Sequence, residues 1–258
     1  MERTIRLTLE YVGTRFHGWQ RQVRLRTVQG ELEDALGTVL RHPVSLAAAG
    51  RTDAGVHALG QVASFRTASD LPPERIRRGA NALTGSDLVV TAADEADVDF
   101  HARFSARARH YAYVILERPS ALWADRAFCP RRFPDLEAMS EAAGHLAGDH
   151  DFAEFSCRGD EETSTRSVVH YAHWQPWARG IVFRIGAVRF LYRMVRCLVG
   201  ASLEIGWGRA DPARFRARLA DPQGRGRNVA PAAGLYFCAA DYEVPPGGVD
   251  CQPPGPVV

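Results

Sequence analysis

The spacing of apolar residues switches repeatedly between the two-residue period of a strand and the longer period of a helix, and this alternation constrains the fold most. Arg3–Tyr11 alternates like a half-buried strand. Apolar residues then recur at helical spacing over Val28–Leu40, behind Thr27 as a helix N-cap. Because both halves of the chain mix strands with helices in this way, the pattern predicts an α+β protein.

The remaining elements follow from the same spacing rules. Strands are expected at residues 44–49, 61–65, 87–92, 109–116, 167–175, 181–186 and 235–240, and helices after Pro73, over 136–146, through 191–198 and after Pro212. We expect an acidic turn at 94–99 and a helix end at Gly148. We also expect an N-terminal domain 1–105, a C-terminal domain 106–244 and a disordered Pro- and Gly-rich tail 245–258.

Composition narrows the class of protein. With 258 residues, 46% of them hydrophobic, the chain can bury a sizeable core. It contains no apolar run of about 18 residues and no apolar signal segment at its start, so a cytoplasmic protein is expected. The five cysteines never form a C-x-x-C pair, and His170 and His173 point to opposite faces of a strand, so no metal site is expected. All 32 basic residues are arginine, which excludes lysine-dependent enzymes.

Charge is unevenly distributed although the net charge is only +2. Residues 135–162 contain nine acidic residues against one arginine, whereas 163–232 contain twelve arginines against three acidic residues. Within the second region, Arg189, Arg193 and Arg196 are predicted to share one face of a helix. This basic helix is a candidate for binding a polyanion.

A glycine-bounded loop over 50–60 carries Arg51, Asp53 and His57 between two predicted strands. Loops held on strands often carry active sites. A guanidinium beside a carboxylate favours its ionised form, which suits a nucleophile. An aspartate in such a turn is nevertheless more often a turn-former or a helix cap. We read His57, like His101, as a hydrogen-bonded structural histidine.

This loop resembles the signature loop of the tRNA pseudouridine synthase A (TruA) family. Five segments match the family in order and spacing: Gly50-Arg51-Thr52-Asp53-Ala54-Gly55-Val56-His57-Ala58, Tyr11-Val12-Gly13-Thr14-Arg15-Phe16-His17-Gly18-Trp19-Gln20-Arg21-Gln22, Phe100-His101-Ala102-Arg103-Phe104-Ser105-Ala106-Arg107, Met194-Val195-Arg196 with Gly200, and Ala233-Gly234-Leu235-Tyr236. The chain departs from the family pattern at Val12, at 186–190 and at 84–86.

The resemblance implies roles for particular residues. It implies that Asp53 is the nucleophile, that Arg51 helps to displace the target base, that Tyr111 stacks on the substrate and that Arg196 pairs with Asp53. On the residues alone, Tyr111 and Tyr113 are equally good core residues of one strand, and Arg196 could be a solvated helix residue.

The resemblance also implies a fold, a reaction and partners. The fold would be two ferredoxin-like or RRM-like α+β halves, with antiparallel sheets around a central basic cleft. The reaction would be isomerisation of uridines 38, 39 and 40, in the anticodon stem and loop of tRNA, to pseudouridine. The enzyme would be a homodimer without a metal or organic cofactor, and it would flip the target base out of the RNA.

Residues 13–22 mix arginines with aromatic residues. We interpret Arg15 and Arg21 as RNA-binding residues, together with Arg189 and Arg193, although a loop that merely packs its aromatics is the alternative. Two other classes of protein compete with the enzyme: tandem RNA-recognition modules without activity, and an aspartate-dependent hydrolase. The Asp53 loop argues against the first, and the lack of a second carboxylate loop argues against the second.

Overall fold

The computed structural model describes residues 2–157, 164–222, 224 and 228–243. They divide into two compact units, one containing residues 2–107 and 237–243 and the other containing residues within 108–236. Both units combine helices with antiparallel strands, so the predicted α+β class is confirmed. The predicted tail 245–258 lies outside the described residues. None of the helices within the described ranges is long and apolar enough to cross a membrane.

The first unit is a sheet with two helices. Its strands are β1 (Arg3–Tyr11), β2 (Ala47–Ala48), β3 (His57–Thr67), β4 (Leu88–Ala96) and the end of β9 (Leu235–Asp241), and its helices are α1 (Val28–Leu40) and α2 (Pro73–Leu83). The strand order is β4-β1-β3-β9, with β2 beside β3. Thr27 caps α1 by accepting a hydrogen bond from the amide of Gly30 at 3.2 Å, as predicted. The helices pack closely where Gly79 of α2 meets Val39 of α1.

The predicted acidic turn at 94–99 is wrong in its first half, because β4 continues to Ala96. Cross-strand ion pairs explain how acidic residues remain in the strand. Arg3 pairs with Glu95 at 2.8 Å, and Arg6 pairs with Asp94 at 3.6 Å, both across the β1–β4 ladder.

The second unit contains a sheet in the order β5-β8-β7-β6, built from β5 (Ala108–Leu116), β6 (Gly148–Asp151), β7 (Arg166–Trp177) and β8 (Gly180–Ala187). Its helices are α3 (Leu136–Ala143), α4 (Met194–Gly206) and α5 (Pro212–Ala220). The apolar residues of α4 are buried, and Gly206 allows α4 to approach Met139 of α3 closely.

The end of α3 differs from the prediction. The helix was expected to run to residue 146 and to end at Gly148, but it stops at Ala143, and tight turns follow in which the amide of Leu146 bonds to the carbonyl of Ala143. Gly148 has a φ of +110° and begins β6. A left-handed glycine at this point starts a strand that the spacing of apolar residues did not reveal.

Candidate functional site

The loop that carries Asp53 is a tight turn between β2 and β3. Within it the amide of Val56 donates to the carbonyl of Asp53 at 3.2 Å. Gly55 has a φ of +80°, which is the conformation that a type II turn requires at its third position. Asp53 is half-buried and Arg51 is exposed. The predicted loop is shorter than expected, because β3 already begins at His57.

The segment after β1 braces this turn from outside. The amide of Trp19 donates to the carbonyl of Thr52 at 2.9 Å, and the amide of Gly55 donates to the carbonyl of Phe16 at 3.3 Å. Gly18, with a φ of +88°, lies so close that a Cβ atom would be 3.2 Å from the carbonyl carbon of Asp53. The backbone of Asp53 is therefore held on both sides by glycine-dependent contacts.

Buried polar side chains support the turn from below. The hydroxyl groups of Tyr11 and Thr52 share a hydrogen bond at 2.8 Å, and Gln61 donates from Nε2 to the carbonyl of Gly50 at 2.7 Å. Burial raises the pKa of Tyr11 to about 12, so its hydroxyl stays protonated at neutral pH. His57 accepts the amide hydrogen of Gly13 at Nδ1, at 3.1 Å, which agrees with a structural role.

The aromatic residues of 13–22 pack inward rather than facing RNA. Phe16 and Trp19 are 3% and 2% exposed, and each ring contacts Tyr11. The alternative interpretation, a loop that packs its aromatic residues, is therefore the right one for these two rings, and Gly13 and Gly18 permit the close backbone approach that it requires. The matching 11–22 segment thus shapes the Asp53 turn through its backbone and its buried rings.

The two arginines predicted from this segment differ in their surroundings. Arg21 forms ion pairs with Glu33 at 3.3 Å and Asp34 at 2.9 Å, so its charge is largely neutralised. Arg15 is exposed and forms no ion pair with any described residue. Arg24, which the sequence did not single out, is exposed at the tip of a turn with a φ of +62°, again without an ion pair or hydrogen bond in the described chain.

In the second unit, Tyr111 and Tyr113 point to the same face of β5 but differ in burial. Tyr113 is fully buried and donates its hydroxyl hydrogen to the carbonyl of Pro231 at 2.8 Å. Tyr111 is 8% exposed, and its ring meets Phe190 edge-on with the centroids 4.9 Å apart. Tyr113 is thus a core residue, and Tyr111 is held by an aromatic partner that the sequence did not identify.

Arg196 lies in the first turn of α4. Its Nε donates to the carbonyl of Ala230 at 2.8 Å, and the amide of Ala230 donates back to the carbonyl of Arg196 at 3.0 Å. The side chain is half-buried, so it is not the freely solvated residue of the alternative interpretation.

The shared helical face predicted for three arginines is wrong. Arg193 has a φ of +59° and is the N-cap of α4, so only Arg196 belongs to the helix. Arg189 lies before it, where its carbonyl accepts a hydrogen bond from Ser167 at 2.6 Å. A left-handed residue interrupts the helical path, and hydrogen bonds that connect Val188 and Arg189 to residues of β7 hold the preceding segment. Arg193 instead lies over the ring of Tyr192, 4.8 Å from its centroid.

Among the described residues, no group of three histidine, cysteine or acidic side chains is arranged to hold a metal ion.

Comparison with known proteins adds an independent line of evidence. A sequence profile described as tRNA pseudouridine synthase matches residues 8–105 and 142–243. The tRNA pseudouridine synthase A of Chlorobium luteolum is 47% identical over 93% of this chain and 96% of that protein. The proteins of the same name from Chlorobaculum tepidum and Acetivibrio thermocellus are 44% and 39% identical, each over 93% of this chain and over 98% and 100% of their own lengths. A chain in the crystal structure of a Cbf5-Nop10-Gar1 complex aligns over 77% of this chain and 54% of its own, with a TM-score of 0.33 and 10% identity.

Proposed function

Because the chain belongs to the tRNA pseudouridine synthase family, we propose that it isomerises uridine to pseudouridine in tRNA with Asp53 as the nucleophile. The observation that carries the assignment of Asp53 is its turn, in which hydrogen bonds from two directions and a close glycine contact fix the backbone of a half-buried carboxylate. Such preorganisation is expected of a group that must meet its target atom within a fraction of an ångström.

The reaction needs a nucleophile and little else. The bond from ribose C1′ to N1 breaks, a bond from C1′ to C5 forms, the C5 proton leaves and N1 gains a proton. The product is an isomer, so no oxidant, reductant or second substrate is consumed. An aspartate is ordinarily ionised at neutral pH and can attack as a carboxylate. A covalent intermediate would hold the base or the sugar while the base turns.

The target nucleotide must leave the RNA stack before it can react. Unstacking and unpairing cost roughly a few kcal/mol, and one aromatic platform returns about 1–3 kcal/mol per stacked base. We assign that platform to Tyr111, supported by its edge-on contact with Phe190, which fixes the ring. Arg51 is assigned to displacement of the target base, supported by its exposure two residues before Asp53.

The proposed roles of the remaining arginines depend on the contacts that each side chain makes. Arg196 is proposed to act in the reaction, an assignment that rests on the family resemblance and on the carbonyl that orients its guanidinium. Arg15 is proposed to contact phosphate, and so are Arg189 and Arg193. Arg21 is the weakest of the set, because two carboxylates already pair with it.

The decisive experiment follows the C5 hydrogen. A tRNA transcript labelled with tritium at C5 of uridine is mixed with an excess of protein in EDTA, and release of tritium is timed for the wild type, Asp53→Asn and Asp53→Ala. We expect release by the wild type and a loss of at least about 10³-fold in both variants, with tRNA affinity retained. Binding without release by the wild type would support the RNA-recognition alternative instead.

We further propose that the targets are uridines 38, 39 and 40 of the anticodon stem and loop, and that a homodimer works in the cytoplasm. Two subunits would allow one to hold the body of the tRNA while the other acts on the loop. Mapping pseudouridine by carbodiimide modification and primer extension tests the positions, and product at other uridines alone would refute them. Sedimentation equilibrium tests the dimer, and full activity of a monomer would contradict it.

A further inference from the structure

Phe104 is an aromatic side chain that the first unit leaves in water. It is 75% exposed, more than any other phenylalanine, tyrosine or tryptophan in the part of the chain that the structure describes. Each large apolar side chain that stays exposed forfeits the gain from burial, about 1.5–3 kcal/mol. A ring exposed to this extent, in the connection between β4, which ends at Ala96, and β5, which begins at Ala108, is a candidate contact residue rather than a packing residue.

The turn that presents Phe104 is rigid. We call residues 101–105 the Phe104 turn. The Nδ1 atom of His101 accepts the amide hydrogens of Arg103 at 3.2 Å and Phe104 at 3.4 Å. The amide of His101 donates to the hydroxyl of Ser105 at 3.0 Å, and the amide of Ser105 returns a hydrogen bond to the carbonyl of His101 at 2.9 Å. The turn therefore holds its shape without the Phe104 ring.

Two contacts also anchor the turn to the sheet of the first unit. The amide of Ala102 donates to the hydroxyl of Ser64 in β3 at 3.0 Å, and the hydroxyl of Tyr242 donates to the carbonyl of Ala102 at 2.9 Å. A side chain on such a support loses little conformational freedom when it binds a partner.

The neighbours of the ring indicate which partner it suits. The imidazole of His101 packs against it, with ring centroids 4.4 Å apart and ring planes tilted by 31°, and the guanidinium carbon of Arg103 lies over the ring, 5.5 Å from its centroid. An aromatic ring next to a cation matches an unpaired nucleotide, whose base can stack while its phosphate meets the guanidinium.

A second copy of the chain is a poorer fit. A stable protein interface buries about 800 Å² per partner, whereas one aromatic side chain supplies about 150–250 Å². A single stacked base needs no more than the ring itself.

We propose that Phe104 is a stacking platform for an unpaired tRNA nucleotide other than the target uridine, with Arg103 beside it for the phosphate. This proposal depends on the proposed function in one respect only, namely that the RNA bound by the protein is tRNA. The platform adds affinity for the substrate and does not touch the reacting atoms, so it is a binding residue.

The test compares Phe104→Ala, Phe104→Trp and a matched control, Leu122→Ala. Leu122 is a similarly exposed apolar residue, at 66%, in the other unit. The dissociation constant for fluorescently labelled tRNA is measured by anisotropy at fixed salt, and circular dichroism confirms the fold. We expect Phe104→Ala to weaken binding about 5- to 150-fold, and Phe104→Trp and Leu122→Ala to stay within about twofold of the wild type.

Two results would overturn the platform. The first is a dissociation constant for Phe104→Ala within twofold of the wild type. The second is that sedimentation equilibrium shows Phe104→Ala to be a monomer where the wild type is a dimer, and that its affinity for tRNA returns at protein concentrations high enough to restore the dimer. The ring would then bind a second copy of the chain. Neither depends on tritium release by the wild type, so a failure of the proposed reaction is recognised separately.

Discussion

Substitution of Gly13 by alanine should shift the backbone of the Asp53 turn while leaving the carboxylate of Asp53 itself unchanged. A Cβ atom at Gly13 would lie 1.9 Å from the carbonyl oxygen of Val56, where real Cβ contacts almost never fall below 3.0 Å. The two backbones must therefore move apart by about 1 Å. Movement of this size also weakens the hydrogen bond from the amide of Gly13 to His57, which is 3.1 Å long and contributes about 1 kcal/mol to stability. Overpacking at the new Cβ atom lowers the free energy of unfolding by about another 1–3 kcal/mol.

We expect Gly13→Ala to lower the free energy of unfolding by about 2–4 kcal/mol and the rate of tritium release by about 10²-fold, because a shift of 1 Å can misalign a nucleophile to that extent. Urea unfolding and single-turnover release measure the two effects. Gly208→Ala is the control: it has a φ of +71° and open space around its Cβ position, so we expect about 1–2 kcal/mol of strain and unchanged activity. A folded Gly13→Ala protein that reacts within threefold of the wild type would refute the view that this contact positions Asp53.

Three further predictions use other contacts. Tyr113→Phe removes the hydrogen bond to a backbone carbonyl and should lower the free energy of unfolding in urea by about 1 kcal/mol, with product formation maintained. Asparagine tolerates the left-handed backbone at position 24, so Arg24→Asn should weaken tRNA binding and reduce the slope of log affinity against log salt concentration by about 1. Arg21→Ala is the control and should change that slope by much less, because Arg21 is already paired with carboxylates. Equal changes in the two slopes would contradict the distinction between free and paired arginines. Arg26 lowers the pKa of Asp87, so the stability that this pair provides is present above the ordinary aspartate pKa and is lost as pH falls through the lowered value. Arg26→Met should therefore reduce the fall in melting temperature at acid pH. An unchanged fall would show that the pair contributes nothing to stability.

Local signals in the sequence account for much of the first unit. The limits of β1 and α1 match the prediction, because a clean two-residue alternation and a side-chain N-cap are both encoded by neighbouring residues. The extension of β4 through its acidic residues could not be read locally, since it depends on arginines of β1 about 90 residues away in sequence. Pairing partners at that distance are invisible to a periodicity argument.

In the candidate site, too, some features could be predicted from nearby residues and others could not. The family resemblance implied roles for Asp53, Arg51, Tyr111 and Arg196, and these roles stay predictions. The inward packing of Phe16, by contrast, depends on which way a loop folds back. The start of α4 also escaped prediction, because an arginine in the left-handed region leaves the apolar spacing unchanged.

The placement of β9 has a consequence for biosynthesis. The first unit contains residues 2–107 but also the last described strand, which lies next to β3, and the carbonyl of Asp241 accepts the amide hydrogen of Arg107 at 2.7 Å. A ribosome that has translated Asp53 must add almost 190 more residues before this unit can close. Until then the part of β3 that pairs with β9 presents an unpaired edge, open to chaperones or to aggregation. A messenger truncated near its end would therefore yield a chain with every predicted catalytic residue and an unfinished sheet beneath the nucleophile.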